Sequence, residues 1–395
     1  MPPAHPRGMT LAWVTLMGVL GALIGSFGNV VVHRWPLGLS VVRPRSRCPR
    51  CERTLGPLDL VPILSWLALR ARCRSCGEPI SARYPLVEAA MATGFVVLAL
   101  AFPIETAGLS VLPLLVLFAM LLIAALIDLD TFLLPDALTL PAVAVALLGT
   151  LLYAPGLGLP TLSEALFGAA IGAGVLVLIN RIGGLVLRRF ADTSERLWPV
   201  SLDTVNAAAL VGVVTGPAGA LAAGALQAVG SALLRRPLRL PEGLLYALWA
   251  LALVAVAFGA TLAWGVGLVE GLAGSLVGAG TFALVGALWW WIADWRKPDQ
   301  ATPNTHSPED DDGEPVAMGF GDVKLAGVLG AMLGWEGFLV GLLYAVVLGA
   351  VVGVAARALG GSRFVPFGPF LVIGAFLALA SADALLGWYL GILGL

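Results

Sequence analysis

Apolar runs of about 17–25 residues recur along almost the whole of this 395-residue chain, and that is the length needed to cross the hydrocarbon core of a bilayer. Between them lie short polar or glycine- and proline-bearing breaks. In lipid every backbone N–H and C=O must be satisfied inside its own segment, so a chain written this way folds as membrane-spanning helices. The composition agrees: 59% of residues are hydrophobic and 12% charged, roughly half the charge that coats a soluble domain at about 25%. A soluble enzyme, a secreted disulfide scaffold and a disordered chain are excluded. The expected class is all-α, a polytopic membrane protein of about twelve transmembrane helices, two of them short enough to be half-helices.

The expected spans are 10–32, 86–102, 110–127, 137–154, 164–187, 205–216, 218–234, 243–258, 268–293, 323–335, 337–357 and 366–392. The first exceeds the 7–15-residue apolar core of a signal peptide and lacks the small-residue cleavage pattern, so it is read as a retained span. Basic residues orient the rest. Between Arg34 and Arg83 lie ten arginines against three acids, Glu52, Asp59 and Glu78, a net of +7, and short arginine-rich loops beside spans stay in the cytoplasm. With that loop inside, alternation places both termini outside. It also predicts basic residues after spans five, seven, nine and eleven, where Arg188, Arg235, Arg296 and Arg363 stand. Nucleic acid is the other partner for such a patch, but a metal-like framework and a span on each side point away from it.

A repeat is also visible. Glu164-Ala-Leu-Phe-Gly-Ala-Ala-Ile-Gly-Ala-Gly174 parallels Glu270-Gly-Leu-Ala-Gly-Ser-Leu-Val-Gly-Ala-Gly280, with six identities in eleven positions. Gly212, Gly216 and Gly219 match the spacing of Gly330, Gly334 and Gly337, and Leu240-Pro-Glu-Gly243 parallels Val365-Pro-Phe-Gly368. The expected organisation is a first helix (10–32), a cytoplasmic loop (33–85), helices 86–156, an inserted four-helix copy (164–258) and a second four-helix unit (268–392). The stretch 298–315, with Glu309-Asp-Asp-Asp312, cannot bury apolar area and reads as a solvated, disordered loop.

All four cysteines fall in the basic loop, as Cys48-x2-Cys51 and Cys73-x2-Cys76. Two such knuckles bring four thiolates to one tetrahedral Zn2+. Disulfides are the competing reading, and a reducing cytosol argues against them. With all four thiols as ligands no coordination site stays open, so the metal would fold the loop, a small zinc-ribbon-like module, rather than do chemistry.

Acids beside or within spans are few and costly. Leu126-Ile-Asp128-Leu-Asp130 ends the third span and is followed by Pro135-Asp136; Gly319-Phe-Gly-Asp322-Val-Lys324 opens the tenth. The topology puts both at the cytoplasmic membrane edge, where Asp128 and Asp322 would meet. Gly319 and Gly321 are expected to let the backbone bend and a peptide approach Asp322. Two adjacent carboxylates share one proton, giving a base for water and an acid for a carbonyl oxygen. Ordinary readings stand beside this one: Asp130 and Asp136 as arginine-paired or helix-capping residues, and Lys324 as an ion-pairing cation. Asp203, near the position corresponding to Asp322, lacks the flanking glycines and reads as catalytically dead.

At these residues the sequence resembles the type IV prepilin peptidase family, the bifunctional leader peptidase and N-methyltransferase. Gly25-Ser-Phe-Gly-Asn29 through His33-Arg34-Trp-Pro36, the paired CxxC loop and Arg83-Tyr-Pro-Leu-Val-Glu88 follow the family's order. So do Asp128 with Leu134-Pro-Asp136, Gly319-Phe-Gly-Asp322-Val-Lys324, and Val365-Pro-Phe-Gly-Pro-Phe370. The resemblance covers about 10–156 and 270–392. It implies that Asp128 and Asp322 are the catalytic aspartates of a GxGD-type aspartic protease of the bacterial inner membrane, with Gly319, Gly321, Lys324 and Asp136 supporting them. It implies prepilins and pseudopilins as substrates, cut after a short basic leader, with the new N-terminus methylated from S-adenosylmethionine. No glycine-rich nucleotide fingerprint marks a site for that donor. The inserted 164–258 copy and the acidic loop depart from the family pattern.

Two other classes remain open at this point. A secondary transporter built from repeated four-helix units would use Asp128 in ion coupling but leaves the cysteine loop unexplained. A non-catalytic scaffold for pilus assembly would tolerate loss of both aspartates. The sequence does not speak to oligomeric state.

Overall fold

The computed structural model describes residues 7–187, 200–234, 242–258, 266–296, 319–360 and 365–394. The acidic segment 298–315 lies outside the described residues, as do Arg188, Arg235 and Arg363 among the arginines expected on the inside. The described chain is helical: α1 (Arg7–Arg34), α2 (Leu64–Ala68), α3 (Arg83–Ala101), α4 (Ile104–Ala107), α5 (Val111–Thr131), α6 (Asp136–Gly149), α7 (Leu162–Leu187), α8 (Leu202–Leu234), α9 (Glu242–Ala257), α10 (Leu268–Arg296), α11 (Phe320–Ala358) and α12 (Gly368–Leu393). Among the described residues the only extended pairing is two isolated bridges, Arg47 with Thr54 and Arg72 with Pro79.

Eight helices are long and apolar enough to cross a membrane, and two shorter apolar ones lie at Asp136–Leu152 and Leu244–Ala257. The twelve expected segments all fall on helices, and four of them meet in pairs. The segments 205–216 and 218–234 form the single element α8, and 323–335 with 337–357 form α11; each is broken at one glycine, Gly216 (φ 74°) and Gly334 (φ 72°). A left-handed residue is cheap only for glycine, so the direction changes without a loop. In α8 the change is large: Ala208 before Gly216 and Ala220 after it both lie against Gly278.

The chain forms two compact units, Met1–Thr131 with Leu148–Gly158, and Phe132–Leu147 with Leu159–Leu395. In the first, α1 packs along α3 through glycines spaced three and four apart. A methyl at Gly21 would come within 2.8 Å of the Met91 carbonyl oxygen, and one at Gly25 within 2.8 Å of Glu88 Cα. The α5 ring of Phe118 covers Gly94 and meets Phe95 edge-on at 6.3 Å.

In the second unit α7 packs on the first half of α11, and α10 on the first half of α8. Lipid gives apolar side chains no reason to prefer each other, so such helices associate where small residues let backbones touch. A methyl at Gly168 would sit 2.2 Å from the Gly330 carbonyl oxygen, and one at Gly330 2.0 Å from that of Gly168. The equivalent residues of the repeat, Gly274 and Gly212, block each other in the same way, each methyl meeting the other carbonyl oxygen at 2.4 Å. A third contact is reciprocal as well: Gly174 faces the Leu276 carbonyl and Gly280 that of Ala170. Each repeated block therefore lays its first helix on the other block's second helix. The glycine register also pairs Thr204, not Asp203, with Asp322, since Gly212, Gly216 and Gly219 all precede their counterparts by the same interval.

Gly168→Val and Gly274→Val should each destabilise the purified protein by about 1–3 kcal/mol through overpacking, lowering its detergent-phase melting temperature by at least about 3 °C. Gly353→Val, where nothing lies within 4 Å of the new methyl, should leave it unchanged. Equal melting of all three would show that these contacts do not hold the unit together.

Candidate functional site

The cysteine loop builds itself from two alike turns. Cys48 N–H donates to Arg53 O and Glu52 N–H to Cys48 O; in the second turn Cys73 N–H donates to Glu78 O and Gly77 N–H to Cys73 O. Glu52 (φ 54°) and Gly77 (φ 73°) occupy the same left-handed position of each turn, strained for the glutamate and free for the glycine. Contacts between the turns lock them: Arg50 pairs with Glu78, and Arg53 donates to Ser75 Oγ. Asp59 closes the arrangement by accepting Gly56 N–H at 3.1 Å and pairing with Arg74 at 2.8 Å and Arg53 at 3.6 Å. The Gly56 bond and then the two arginines hold its carboxyl below the ordinary range.

The four Sγ atoms lie within 4.8 Å of one another, with Cys48 and Cys76 at 3.8 Å, and none is in a disulfide. A tetrahedral ion with sulfur at about 2.3 Å needs sulfur pairs about 3.8 Å apart, so the cluster is already close to a metal-binding shape. Its protonation says the same. Backbone N–H groups of Cys76 and Ser75 pull the Cys73 thiol down to about 6. The Cys76 thiol also receives a backbone N–H, from Glu78, yet burial and the other three thiols push it up to about 12. Four thiolates cannot crowd together without a cation among them.

An apolar segment, Leu58 to Leu69, joins the two knuckles. Its backbone is tied to α3, where Glu88 accepts the Ile63 N–H at 2.7 Å, and Trp66 Nε1 donates to Ile80 O. Its leucines point away: Leu58, Leu64 and Leu67 are exposed. Sequence reasoning quoted Glu88 in a motif but gave it no role, although a buried acid in an apolar helix asks for a donor.

Asp128 lies near the end of α5 and is 5% exposed. Asp130, two residues on, points to another side of the helix and binds Arg83 Nη2 at 2.6 Å. The two acids of Leu126-Ile-Asp128-Leu-Asp130 are thus separated into an inward residue and an outward, arginine-paired one.

In the second unit Gly319 precedes α11 and Asp322 stands in its first turn, its N–H donating to Gly319 O. The helix then runs buried from Val323 to Met332, so Asp322, itself half-buried, is carried at the start of a rigid core element. Lys324, 7% exposed, pairs with Asp136 at the start of α6; the acid expected to cap that helix serves the lysine. The glycines differ in duty from the bend that was expected. Gly319 is extended (φ −72°) and Gly321 is helical. A methyl at Gly321 would lie 2.9 Å from Leu134 Cβ, whereas one at Gly319 meets nothing nearer than 3.9 Å among the described residues. Gly321 lets Leu134 close against the helix, and Gly319 leaves open backbone beside the carboxylate.

With this geometry in hand, the chain matches two family descriptions, "Bacterial Peptidase A24 N-terminal domain" over residues 19–102 and "Type IV leader peptidase family" over 115–187 and 236–354. It belongs to the type IV leader peptidase family. A prepilin leader peptidase/N-methyltransferase of Aeromonas hydrophila is 27% identical over 411 residues, 97% of this chain and 96% of that protein. One of Myxococcus xanthus is 52% identical over 125 residues, 31% of this chain and 36% of its own length. One of Klebsiella pneumoniae is 43% identical over 142 residues, 34% and 61%. No solved structure matches the chain. The family match omits 188–235, the segment that contains α8.

Purified protein should carry one metal ion per chain by elemental analysis, and Cys48→Ser or Cys73→Ser should remove it; metal-free wild-type protein would refute the cluster's role. Lys324→Met should cost about 3–5 kcal/mol by stranding Asp136, seen as a lower melting temperature, while Lys324→Met with Asp136→Leu should recover part of the loss.

Proposed function

We infer that this leader peptidase family member cleaves the basic leader of type IV prepilin-like proteins by a two-aspartate mechanism, with Asp128 and Asp322 as the catalytic residues. One observation carries the reading: in a chain of this family, both motif aspartates stand at the ends of rigid elements. Asp128 is buried near the end of α5, and Asp322 sits in the first turn of the core helix α11. In this mechanism one of the two carboxyl groups carries a proton and the other is ionised. The ionised member takes a proton from water as the water oxygen bonds to the scissile carbonyl carbon. The protonated member donates to the carbonyl oxygen. Collapse of the tetrahedral species breaks the C–N bond, and the proton taken from water goes to the leaving amine. Gly319 leaves room for an extended peptide, and the Lys324–Asp136 pair positions the start of α11.

The remaining parts of the reading are these. The protein is a multi-pass protein of the bacterial inner membrane, active at the cytoplasmic face, with both termini outside. Support comes from the arginine-rich loop between α1 and α3. Zn2+ fills the four-cysteine cluster, with Cys48, Cys51, Cys73 and Cys76 as ligands, and acts structurally because no coordination position stays open. The new N-terminus is methylated with S-adenosylmethionine as donor, which rests on the relatives' names.

Co-expression with a prepilin tests the core of this. Asp128→Asn and Asp322→Asn should each reduce leader removal by at least about a thousandfold, while Asp203→Ala should leave it intact. Undiminished processing in either aspartate variant would end the assignment. Mass spectrometry of the mature pilin N-terminus reads the cut site and the methyl group together.

A further inference from the structure

The second unit contains a cavity that the reaction does not use. It lies among α7, α8, α9 and α10, has a volume of about 130 Å3, and is walled largely by apolar side chains such as Val177, Leu178, Val205 and Leu245. Among the described residues its polar lining holds one cation, Arg181, and no carboxylate. Arg181 is 9% exposed and Asn206 8% exposed. Asn206 Nδ2 has no hydrogen-bond partner among the described residues. Ser275, also on the wall, has its hydroxyl engaged by Trp249 Nε1 at 2.9 Å. A buried guanidinium and a buried amide donor without an acceptor are each costly, and together they ask for an anion.

The repeat shows what is missing. Asn206 stands at the position of Lys324, because Gly212, Gly216 and Gly219 register with Gly330, Gly334 and Gly337. Lys324 receives its counter-charge from Asp136. At Asn206 a neutral donor replaces the lysine, Arg181 supplies the one cation, and the described wall of the cavity supplies no acid. The cavity volume equals that of about four waters in bulk, enough for a phosphate-sized group and a few carbons. Ile182, half exposed, stands at the wall, in a unit built of membrane-spanning helices. The arginine pattern assigns the Arg181 end of α7 to the cytoplasmic side, where basic pockets between helices take anionic lipid headgroups.

We propose that this cavity is a binding site for the phosphate of an anionic phospholipid, with Arg181 as counter-charge and the Asn206 amide as donor. The site lies partly on the 188–235 segment that the family match omits and does not depend on the cleavage reaction.

Delipidated full-length protein is titrated with phosphatidylglycerol, phosphatidylcholine and inorganic phosphate, followed by melting temperature and by native mass spectrometry. Phosphatidylglycerol should raise the melting temperature and remain bound at one per chain; phosphatidylcholine should do neither. Arg181→Gln should weaken retention by about tenfold or more, as loss of a charged hydrogen-bonding partner does. Asn206→Asp supplies the anion from within, so it should abolish lipid retention while melting no lower than the lipid-free wild type, which separates lost binding from lost folding. Equal retention of the two lipids, or unchanged retention in Arg181→Gln, overturns the proposal. A full shift from inorganic phosphate alone overturns the lipid as its source.

Discussion

Backbone-to-backbone contact at glycine is the constraint on which the larger unit stands. Surrounded by lipid tails, leucine gains nothing by touching leucine rather than lipid, so affinity between helices has to come from close approach and dispersion over many atoms. Gly168 against Gly330 and Gly172 against the Ala326 carbonyl bring α7 and the first half of α11 to a separation no larger residue permits. The first part of the Asp322 helix, Val323 to Met332, is thereby buried. The proton transfer proposed for Asp322 needs a position fixed to a fraction of an ångström, and residues with no side chain supply that rigidity.

The first unit reaches the same end by different means. Glycines let α1 lie on α3, but beyond the helices the loop is too small to bury a core and uses ion pairs and clustered thiols. Arg50–Glu78 and Asp59 with its two arginines join the knuckles, and Glu88 anchors the intervening segment to α3. A metal module of this kind needs few apolar contacts because the ion replaces them. Its leucines are left for other surfaces.

Much of this was legible in the sequence, for physical reasons. Span length and arginine placement follow from bilayer thickness and charge, so the helical class and nearly every apolar segment could be read. Cysteine spacing gave the metal cluster because a CxxC turn has few geometries. Three things were hidden. The joining of segments through Gly216 and Gly334 depends on a single dihedral angle, which a hydropathy pattern does not register. The duty of Gly321 depends on Leu134, a residue far away in the chain that only packing identifies. The partner of Glu88, the Ile63 N–H, lies in a loop whose path no helical pattern records.

The exchange of helix partners between the two blocks has an evolutionary side. Had each block packed on itself, a copy relieved of chemistry would be free to drift or to be deleted. Because α10 leans on α8 and α7 on α11, each block serves as the other's mould. Selection can vary the polar residues of either, but both must go on remembering their glycines.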